Sequence, residues 1–403
     1  MSRVLLPEHW HLSPLDKVAA VQTGIAKGKT VNGCGVTLPY LRVANVQDGH
    51  VDLSVVKEIT VEQSEVPRYS LRDGDVLFTE GGDFDKLGRG TVWHSEISPC
   101  LHQNHVFAVR PSSAVLLPEF LAFQAASRYG RRYFQGSSKQ STNLASINST
   151  QLKNFPVLVA PIKEQRKIVE VLRTWDEAID NVTRLAELRE KQYLGLRDYL
   201  IDWSKDQRAV KEFLKPASRP VAKPISGYRA LGIRSHGKGT FDRFVENPES
   251  VEMDTLYVAK AGDIIVNITF AWEGAVALVP RDHDGGLVSH RFPTFVPKLE
   301  RVDARYLRHA LRMARFTYLL GIASPGGAGR NRVLSKSDFL DLMVPLPTLD
   351  LQRRVAMILD DAEKAVAAEE KCLSALNRQK RGLMQTLLTG KWRVRGFGEK
   401  ESD

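Results

Sequence analysis

Apolar and polar residues follow two patterns in turn along this chain, and each pattern occurs twice. In segments 40–53 (YLRVANVQDGHVDL) and 261–280 (AGDIIVNITFAWEGAVALVP), short apolar alternations are separated by glycines and other turn residues. Alternation with a period of two, bounded by turn residues, is typical of β-strands joined by loops. The first three-quarters of each half of the chain is therefore predicted to be rich in β-strands.

The last quarter of each half has a helical pattern instead. From Leu172 onward apolar residues recur at steps of three and four, and a second such stripe runs from Val355 to Leu387. This spacing places one apolar stripe along a helix. Pro161 and Pro347 stand just ahead of the stripes, and Gly390 follows the second, at positions where helices favour these residues.

Each predicted helix has about 40 residues and would be roughly 60 Å long. One such stripe alone is equally compatible with a helix that packs on the core of its own domain. Two matched stripes of this length favour an antiparallel coiled coil, because a single small domain cannot cover either helix. The predicted packing positions of this spacer are Trp175, Ile179, Val182, Tyr193, Leu196, Ile358, Leu376 and Leu383.

The two halves also repeat residue by residue. One fixed offset relates Gln165 to Gln352, Leu172 to Leu359 and Gly195 to Gly382. Further matched blocks keep the same order, namely GDVLF (74–78) with GDIIV (262–266), FAVRP (107–111) with PTFVP (293–297), and LKNFPVLV (152–159) with FLDLMVPL (339–346). The chain is therefore predicted to contain two tandem units, about 1–205 and 206–403.

Length and charge agree with this organisation. A chain of 403 residues exceeds one ordinary core, which favours two domains. The 57 Lys and Arg against 47 Asp and Glu give a net charge of +10, which favours a polyanionic partner. The cysteines Cys34, Cys100 and Cys372 are scattered without a CxxC pair, and no apolar run has the length of a signal peptide core or a membrane span. We expect a soluble, cytoplasmic protein with no membrane partner.

The order of β-rich domain, proline-led helix, β-rich domain and proline-led helix resembles the specificity (S) subunits of type I restriction-modification enzymes. The resemblance covers essentially the whole chain. It is carried by the helix starts Pro161–Gln165–Arg166 and Pro347–Gln352–Arg353 and by the blocks 38–53, 71–90 and 383–394.

This resemblance implies an α+β fold with two tandem β-rich target recognition domains, each with short helices. Two long helices separate the domains and form an antiparallel coiled coil with pseudo-two-fold symmetry. The expected boundaries are 1–160 and 206–346 for the recognition domains, 161–205 and 347–390 for the central and distal spacer helices, and 391–403 for a C-terminal tail.

The resemblance further implies a non-catalytic DNA-binding subunit. Each domain would read one half of a bipartite site, and the site would be asymmetric because the two β-rich domains differ while the helices agree. Half-sites on one face of a duplex lie about 34 Å apart, a distance that a spacer of this length can bridge. The implied partners are double-stranded DNA, two modification (methyltransferase) subunits and ATP-dependent restriction subunits. S-adenosylmethionine, ATP and magnesium would serve those partner subunits, and no cofactor is expected in this chain.

Side chains with the donors and acceptors needed to read bases cluster in glycine-rich loops, although most protein–DNA hydrogen bonds go to the backbone. In the first domain the candidates are Lys86, Arg89, His102, Gln103, Asn104, His105, Arg131, Arg132, Lys139, Gln140 and Asn143. In the second domain they are Arg234, His236, Lys238, His290, Arg291, Arg330, Asn331 and Arg332. Trp272, in the segment TFAWEG, is either a stacking surface or a buried residue at the end of a strand, and the buried position is favoured.

No catalytic or metal-binding set is predicted in this chain. The segment GIAKGKT (24–30) has one residue too few between its glycines for a phosphate loop, and CLHQNH (100–105) lacks a fourth zinc ligand. Two other functions stay open. One is a coiled-coil adaptor whose β-rich domains bind proteins, which leaves the basic loops unexplained. The other is a self-contained nuclease or methyltransferase with an unrecognised site.

Overall fold

The computed structural model describes residues 6–28, 35–82, 84, 87–88, 90–140, 145–326 and 332–394, with the backbone alone at 139 and 140. It divides into two compact units, which are Met1–Val182 with Cys372–Asp403 (unit 1) and Thr183–Lys371 (unit 2). Two 39-residue helices each contribute one part to unit 1 and the other part to unit 2. No helix in the described part of the chain is apolar enough over a sufficient length to span a membrane.

Among its described residues, unit 1 combines twelve short strands with short helices and parts of both long helices. In chain order its elements are β1 (His11–Pro14), α1 (Leu15–Val18), β2 (Ala19–Thr23), β3 (Gly35–Leu41), β4 (Lys57–Glu62), α2 (Val66–Tyr69), β5 (Val76–Thr79), β6 (Gly81–Gly82), β7 (Gly90–Val92), β8 (Leu101–His102), β9 (Val106–Pro111), α3 (Pro118–Ala126), α4 (Arg128–Ser137), β10 (Lys139–Gln140), β11 (Ala145–Ser146), α5 (Ser149–Lys153), β12 (Pro156–Val159) and the first part of α6 (Ile162–Leu200).

Unit 2 begins with the second part of α6 and contains the remaining strands. Its further elements are β13 (Gln207–Ala209), α7 (Val210–Phe213), β14 (Leu214–Ala217), β15 (Pro220–Ala222), β16 (Tyr228–Ile233), β17 (Thr240–Val245), β18 (Thr255–Val258), β19 (Ile264–Val266), β20 (Val276–Leu278), β21 (Leu287–Val288), β22 (Thr294–Pro297), α8 (Ala304–Ala310), α9 (Ala314–Ile322), α10 (Lys336–Asp341), β23 (Met343–Pro345) and the first part of α11 (Leu349–Leu387).

The two units share one plan of strand pairing. In unit 1 the order β2-β9-β5-β7 forms an antiparallel sheet, β3 pairs with β4 and with β8, and β1 pairs with β12. In unit 2 the matching order is β14-β22-β19-β20, β16 pairs with β17 and β21, and β13 pairs with β23. Because every block matched in the sequence lies on an equivalent element, the predicted α+β fold with a tandem repeat is confirmed.

The repeated motifs GDVLF and GDIIV place one strand of each unit between two hydrophobic cores. Successive side chains of a strand point to opposite faces, so an uninterrupted apolar run is buried on both faces. Val76 and Phe78 of β5 pack in the main core of unit 1, and Leu77 packs in a second core with Trp93. In unit 2, β19 likewise sends Ile264 and Val266 to one core and Ile265 to another.

The aspartate of each motif is buried and paired with an arginine. Asp75 accepts two hydrogen bonds from Arg110, at 2.8 Å from Nε and 2.7 Å from Nη2. Asp263 accepts two from Arg219, at 2.6 and 3.1 Å. Each carboxylate also accepts a backbone N–H bond within its turn, so three hydrogen bonds from protein donors stabilise its buried charge.

The long helices run antiparallel within unit 1. Glu164, near the start of α6, is paired with Arg393, which follows the end of α11. Asp176, further along α6, accepts a hydrogen bond from Lys380, which lies earlier in α11. The helices begin just after Pro161 and Pro347, as predicted, and Gly390 adopts a left-handed φ of 71° after α11 ends.

Most predicted packing positions lie at least partly within the protein. Tyr193 is buried. The half-buried positions are Trp175, Ile179, Val182, Leu196, Leu376 and Leu383. Ile358, by contrast, exposes 43% of its surface, and its neighbour Leu359 is fully buried with Val355 and Ala356. This first part of α11 faces the core of unit 2 with positions i, i+1 and i+4, which leaves Ile358 outside the buried stripe.

Candidate nucleic-acid interface

The loops that carry the candidate residues of unit 1 are joined to one another by backbone hydrogen bonds. The N–H of Ile25 donates to His102 O at 2.9 Å, and the N–H of Asn104 donates back to Ile25 O at 2.9 Å. The N–H of Glu80 donates to His105 O at 2.9 Å, and that of Ile147 donates to Glu80 O at 2.8 Å. Segments far apart in the chain therefore form one loop cluster, which we call cluster 1 and define by residues 24–25, 80–82, 102–105 and 145–147.

Within cluster 1 the CLHQNH segment is divided between core and surface. His102 is fully buried, and its Nδ1 is 2.7 Å from Val106 O. Burial lowers the pKa of His102, although the hydrogen bond to Val106 acts in the opposite direction. Gln103 and Asn104 are half-buried and His105 is exposed, with its Nδ1 2.5 Å from the Glu80 carboxylate. The structure thus removes His102 from the DNA-contacting candidates, because a fully buried ring cannot meet a duplex.

Cys100, at the head of the same segment, is a core residue. It directly precedes β8 and packs in the core with Leu77 and Trp93, and burial raises the pKa of its thiol to about 12. A thiol that keeps its proton at neutral pH is a poor metal ligand. The segment 100–105 is therefore a buried strand followed by loop residues, and its cysteine does not favour a metal site.

The helix α4 carries the other described candidates of unit 1. Arg131 donates to Ala126 O and to the carboxylate of Asp48, both by its guanidinium. Arg132 is exposed on the same helix. Arg131 is therefore held at the surface by an ion pair, whereas the Arg132 side chain extends into solvent. The candidates Lys86, Arg89 and Asn143 lie outside the described residues, and the side chains of Lys139 and Gln140 do as well.

Unit 2 builds a second cluster from equivalent loops. The N–H of Ile268 donates to Arg291 O at 3.1 Å, and the N–H of Leu334 donates to Ile268 O at 3.0 Å. These bonds repeat those of Glu80 with His105 and Ile147 in unit 1. The N–H of His236 also donates to Glu273 O at 2.7 Å, which adds a further loop. We call this set of loops cluster 2 and define it by residues 234–239, 267–274, 289–292 and 332–334.

Basic side chains surround cluster 2. His236 has a left-handed φ of 61°, and its ring is exposed, as are Lys238, His290 and Arg291. The guanidinium of Arg234 lies over the Phe241 ring, 5.0 Å from its centroid, and donates to Thr240 O. The candidates Arg330 and Asn331 lie outside the described residues. With Arg332, the described residues of cluster 2 include six basic side chains, which is the composition expected of a surface that meets a polyanion.

Trp272 has a different place from the one predicted. It lies in the 3-10 turn Ala271–Glu273, is half-buried, and donates from Nε1 to Thr269 O at 3.2 Å. The guanidinium of Arg332 is 5.6 Å from the centroid of its ring. The buried strand-end position is therefore wrong. A cation–π contact of this kind orients the arginine, and it joins two segments far apart in sequence, so neither residue alone signals it.

A group of metal-ligand types occurs in unit 2 where α8 meets α6 and α11. His309, Asp360 and Glu363 lie close together, but Arg308 and Arg312 pair with the two carboxylates. Burial would raise the pKa of Glu363, yet the hydrogen bond from Arg312 and the charges of both arginines lower it. Two fixed cations beside the oxygens disfavour a metal ion, so this group is a structural ion-pair network.

Comparisons with known proteins agree with this architecture. Residues 7–190 match the family model of the Type I restriction modification DNA specificity domain. A provisionally assigned type I restriction enzyme MjaX specificity subunit from Methanocaldococcus jannaschii is 22% identical over 420 residues, covering 97% of this chain and 95% of the relative. The type I restriction enzyme EcoKI specificity subunit of Escherichia coli is 31% identical over 143 residues, which cover 34% of this chain and 30% of the relative.

Two solved structures share the fold. One, from work on complex assembly and conformational transition of a type I restriction-modification system, has a TM-score of 0.60 at 18% identity and covers 96% of this chain and 99% of its own. The other is a type I restriction-modification S subunit from M. genitalium, with a TM-score of 0.56 at 13% identity, covering 96% of this chain and 97% of its own.

Fold and loop clusters together define a protein of two β-rich units, each of which presents a cluster of hydrogen-bonded loops, with polar side chains at cluster 1 and basic side chains at cluster 2. Residues 7–190 match the type I restriction modification DNA specificity domain, and the chain is similar over nearly its whole length to a specificity subunit of such a system.

Proposed function

We propose that this chain is the sequence-reading subunit of a type I restriction-modification complex, and that each unit reads one half of an asymmetric, bipartite DNA site. The observation that carries this proposal is the repeat of one loop scaffold with different side chains. The backbone bonds at Glu80 and Ile268 are equivalent, but their clusters present Gln103, Asn104 and His105 in unit 1 and Arg291 and Arg332 in unit 2. A shared scaffold with different donors and acceptors reads different bases.

The proposed partners follow from the same architecture. Double-stranded DNA meets the basic loops, two modification subunits carry out methyl transfer, and restriction subunits supply ATP-dependent cleavage. S-adenosylmethionine, ATP and magnesium belong to those partners, and this chain performs positioning and no chemistry. Such a complex acts on DNA in the cytoplasm. In support, the carboxylates of Asp360 and Glu363, which lie close to His309, are paired with Arg308 and Arg312. Cys100 is a buried thiol that keeps its proton at neutral pH.

The proposed DNA-contacting set in the described chain combines the exposed Arg132, His236, Lys238, His290 and Arg291 with the half-buried Gln103, Asn104 and Arg332. Arg131, which is paired with Asp48, and Arg234, which lies over the Phe241 ring, belong to the same set. Lys86, Arg89, Lys139, Gln140, Asn143, Arg330 and Asn331 complete the proposal from the sequence alone. Phosphate contacts will outnumber base contacts among them, because protein–DNA hydrogen bonds go mostly to the backbone.

The test is to co-express this chain with its modification subunit and to map methylated adenines in the host DNA. The wild-type chain should yield methylation at one split, asymmetric motif. The variants Arg132→Ala and Arg332→Ala should each relax or abolish recognition of one half of that motif and leave the other half unchanged. Methylation that is absent, or independent of this chain, would reject the proposal and favour a protein-binding adaptor.

A further inference from the structure

The apolar faces of the two long helices are interchangeable. At the offset that relates Gln165 to Gln352 (352 − 165 = 187), three leucines of α6 fall on leucines of α11, namely Leu172 on Leu359, Leu196 on Leu383 and Leu200 on Leu387. In each unit one helix gives the first leucine of this series and the other helix gives the last two, all packed in or against the main core. These leucines therefore fit a second copy of the same helix as well as they fit the partner helix, so they do not decide which helices pair.

One turn near the end of each helix differs. Tyr193 and Arg197 of α6 correspond to Lys380 and Met384 of α11 at the same offset (193 + 187 = 380 and 197 + 187 = 384). Tyr193 and Met384 are 5% and 7% exposed, and the side chains of Arg197 and Lys380 are 12% and 18% exposed. We call these pairs the α6 turn (Tyr193 and Arg197) and the α11 turn (Lys380 and Met384). Because its side chains are largely buried, each turn must suit the unit in which it packs.

Unit 1 contains the α11 turn. The Nζ atom of Lys380 is paired with the carboxylate of Asp176 on α6 and lies 5.3 Å from the centroid of the Phe123 ring on α3. Met384 belongs to the main apolar core of the unit. The α6 turn in this place would leave Asp176 without its cation and would bury a guanidinium in an apolar core. Unit 1 therefore favours α11 over a second α6.

Unit 2 contains the α6 turn. The hydroxyl of Tyr193 lies 3.0 Å from Nδ1 of the fully buried His309. The guanidinium of Arg197 lies over the Tyr193 ring, 5.9 Å from its centroid, and donates from Nη1 to Arg312 O at 3.4 Å. The α11 turn in this place would lose all of these contacts, since it offers neither a hydroxyl nor a guanidinium.

The charges of unit 2 also oppose a lysine at the place of Tyr193. Arg308 and Arg312 both exert their charges on the Tyr193 hydroxyl. The carboxylates near them, Asp360 and Glu363, are already paired with these two arginines. A lysine ammonium there would be a further buried cation beside two others, which is strongly unfavourable. Unit 2 therefore favours α6 over a second α11.

We propose that the α6 turn and the α11 turn decide which long helices pair, so that α6 pairs with α11 and neither helix pairs with its counterpart in a second copy of this chain. Polar side chains at single packing positions are known to set the partner of a helix, and contacts that disfavour the wrong partner contribute as much as those that favour the right one. This assembly rule holds whether or not the chain reads DNA. Under the proposed function it keeps one unit of each kind in each assembled protein.

The test exchanges the two turns in the full chain. The exchange variant combines Tyr193→Lys, Arg197→Met, Lys380→Tyr and Met384→Arg, so that both units meet the wrong turn within one chain. When two copies pair α6 with α6 and α11 with α11, every unit again meets the side chains that it has in the wild type. By native mass spectrometry the wild type should be a monomer, and the exchange variant should be mainly a dimer that has exchanged helices.

Two half-exchange variants are the matched controls. One carries Tyr193→Lys with Arg197→Met, and the other carries Lys380→Tyr with Met384→Arg. Each has as many mismatched units in the monomer as in the exchanged dimer, so neither gains from pairing with a second copy. Both should stay monomeric although they are less stable than the wild type. Dimers in the half-exchange variants at the level of the full exchange would overturn the proposal.

A zero-length cross-link identifies the helices that pair. Carbodiimide joins a carboxylate to a lysine ammonium in contact with it, so the wild type should link Asp176 to Lys380 within one chain. The exchange variant should link Asp176 to position 193. In a sample refolded from a mixture of light- and heavy-nitrogen chains, the two linked peptides of the exchange variant should come from different chains. A dimer without this link would overturn the proposal.

The remaining outcomes are equally decisive. An exchange variant that folds and stays monomeric overturns the proposal. If the exchange variant does not fold, single variants measured by urea unfolding decide instead. Tyr193→Phe removes only the hydroxyl, whereas Tyr193→Lys places a cation in unit 2 and should lower the urea midpoint by about 0.5 M more. That additional shift supports the proposal, and equal midpoints for the two variants overturn it.

Discussion

Gln165 and Gln352, which begin the two long helices, make the same three hydrogen bonds. The side-chain oxygen of Gln165 accepts from the Leu117 N–H at 2.9 Å, and its Nε2 donates to Val115 O and Ala160 O. Gln352 accepts from the Asp303 N–H at 2.9 Å and donates to Arg301 O and Pro347 O. Each buried amide therefore joins a long helix to the segment that leads into the first short helix after the sheet, α3 in unit 1 and α8 in unit 2.

Because Gln352 makes these hydrogen bonds in a buried place, it should contribute to the free energy of unfolding. Gln352→Leu keeps the volume of the side chain but leaves one N–H and two carbonyls without a partner in a buried place. We expect it to lower the free energy of unfolding by about 3 kcal/mol, measured by urea unfolding of the full chain. Gln379→Leu, on the exposed face of the same helix, should change it by less than about 0.5 kcal/mol. Equal effects of the two variants would show that the amide bonds contribute nothing.

Further along the long helices, two residues at equivalent repeat positions carry opposite charges, Arg173 on α6 and Asp360 on α11. In unit 1, Arg173 of α6 is paired with Glu119 of α3 at 2.5 Å. In unit 2 the repeat partner of Arg173 is Asp360 of α11, which meets Arg308 at 2.8 Å and Arg305 at 3.7 Å. In unit 1 the acidic side chain is on the short helix and the basic one on the long helix, whereas in unit 2 the short helix carries the basic side chains and the long helix the acidic one.

The two contacts should differ in strength because they differ in burial. The side chain of Asp360 is 17% exposed and also accepts from His309, whereas that of Arg173 is 53% exposed. Asp360→Asn should destabilise the chain by about 2–4 kcal/mol, since it leaves Arg308 with a weakened partner. Arg173→Gln should cost less than about 1 kcal/mol. Urea unfolding at two salt concentrations checks this, and a cost for Arg173→Gln that matches Asp360→Asn would contradict it.

His102 should make stability fall in mild acid. Burial lowers its pKa in the folded state, so the unfolded chain takes up the proton first as pH falls below about 6.5, and unfolding is favoured. The stabilisation from the neutral ring is complete above pH 6.5 and is lost towards the folded pKa, at no more than about 1.4 kcal/mol per pH unit. Asp75 and Arg110 are the charged groups that act on the ring, with opposite signs.

The variant His102→Phe separates this titration from other acid effects. It gives up the hydrogen bond to Val106 O and should be less stable at pH 7.5, but its stability should fall less between pH 7 and pH 5 than that of the wild type. His94→Phe, which changes an exposed histidine of the same unit, should keep the wild-type slope. Parallel slopes for the wild type and His102→Phe would show that His102 is not the group responsible.

The repeat and the fold follow from the sequence because their signals are local and periodic. Gln165 and Gln352 stand at one offset, and GDVLF and GDIIV have the uninterrupted apolar run of strands buried on both faces. The long helices were predictable for the same reason. Periodicity locates a buried stripe only within one residue, however, and the exposed Ile358 beside the buried Leu359 shows this limit.

The candidate site was less predictable because side-chain partners lie far apart in the chain. His102 stands among polar residues, yet it is fully buried on β8, which pairs with β3. Arg131 has the composition of a DNA contact but is paired with Asp48, and Trp272 meets Arg332 across a long stretch of sequence. Composition identifies the loops, whereas the tertiary contacts decide which side chains remain available.

The contact of Trp272 with Arg332 should set recognition in the second half-site. The indole ring lies 5.6 Å from the guanidinium and so restricts its orientation towards a ligand. If Arg332 reads a base, Arg332→Ala should reduce methylation of the motif by about tenfold or more and relax the sequence of the second half alone. Trp272→Leu should produce the same change of motif to a smaller extent, because the arginine remains but loses its support. The double variant should be no worse than Arg332→Ala, since the tryptophan acts through the arginine.

The control is Arg243→Ala, which removes an exposed arginine on β17 outside cluster 2 and should leave the motif unchanged. Methylome sequencing of cells that co-express each variant with the modification subunits measures all four cases. Additive losses in the double variant would show that Trp272 contacts the duplex or supports the loop independently of Arg332.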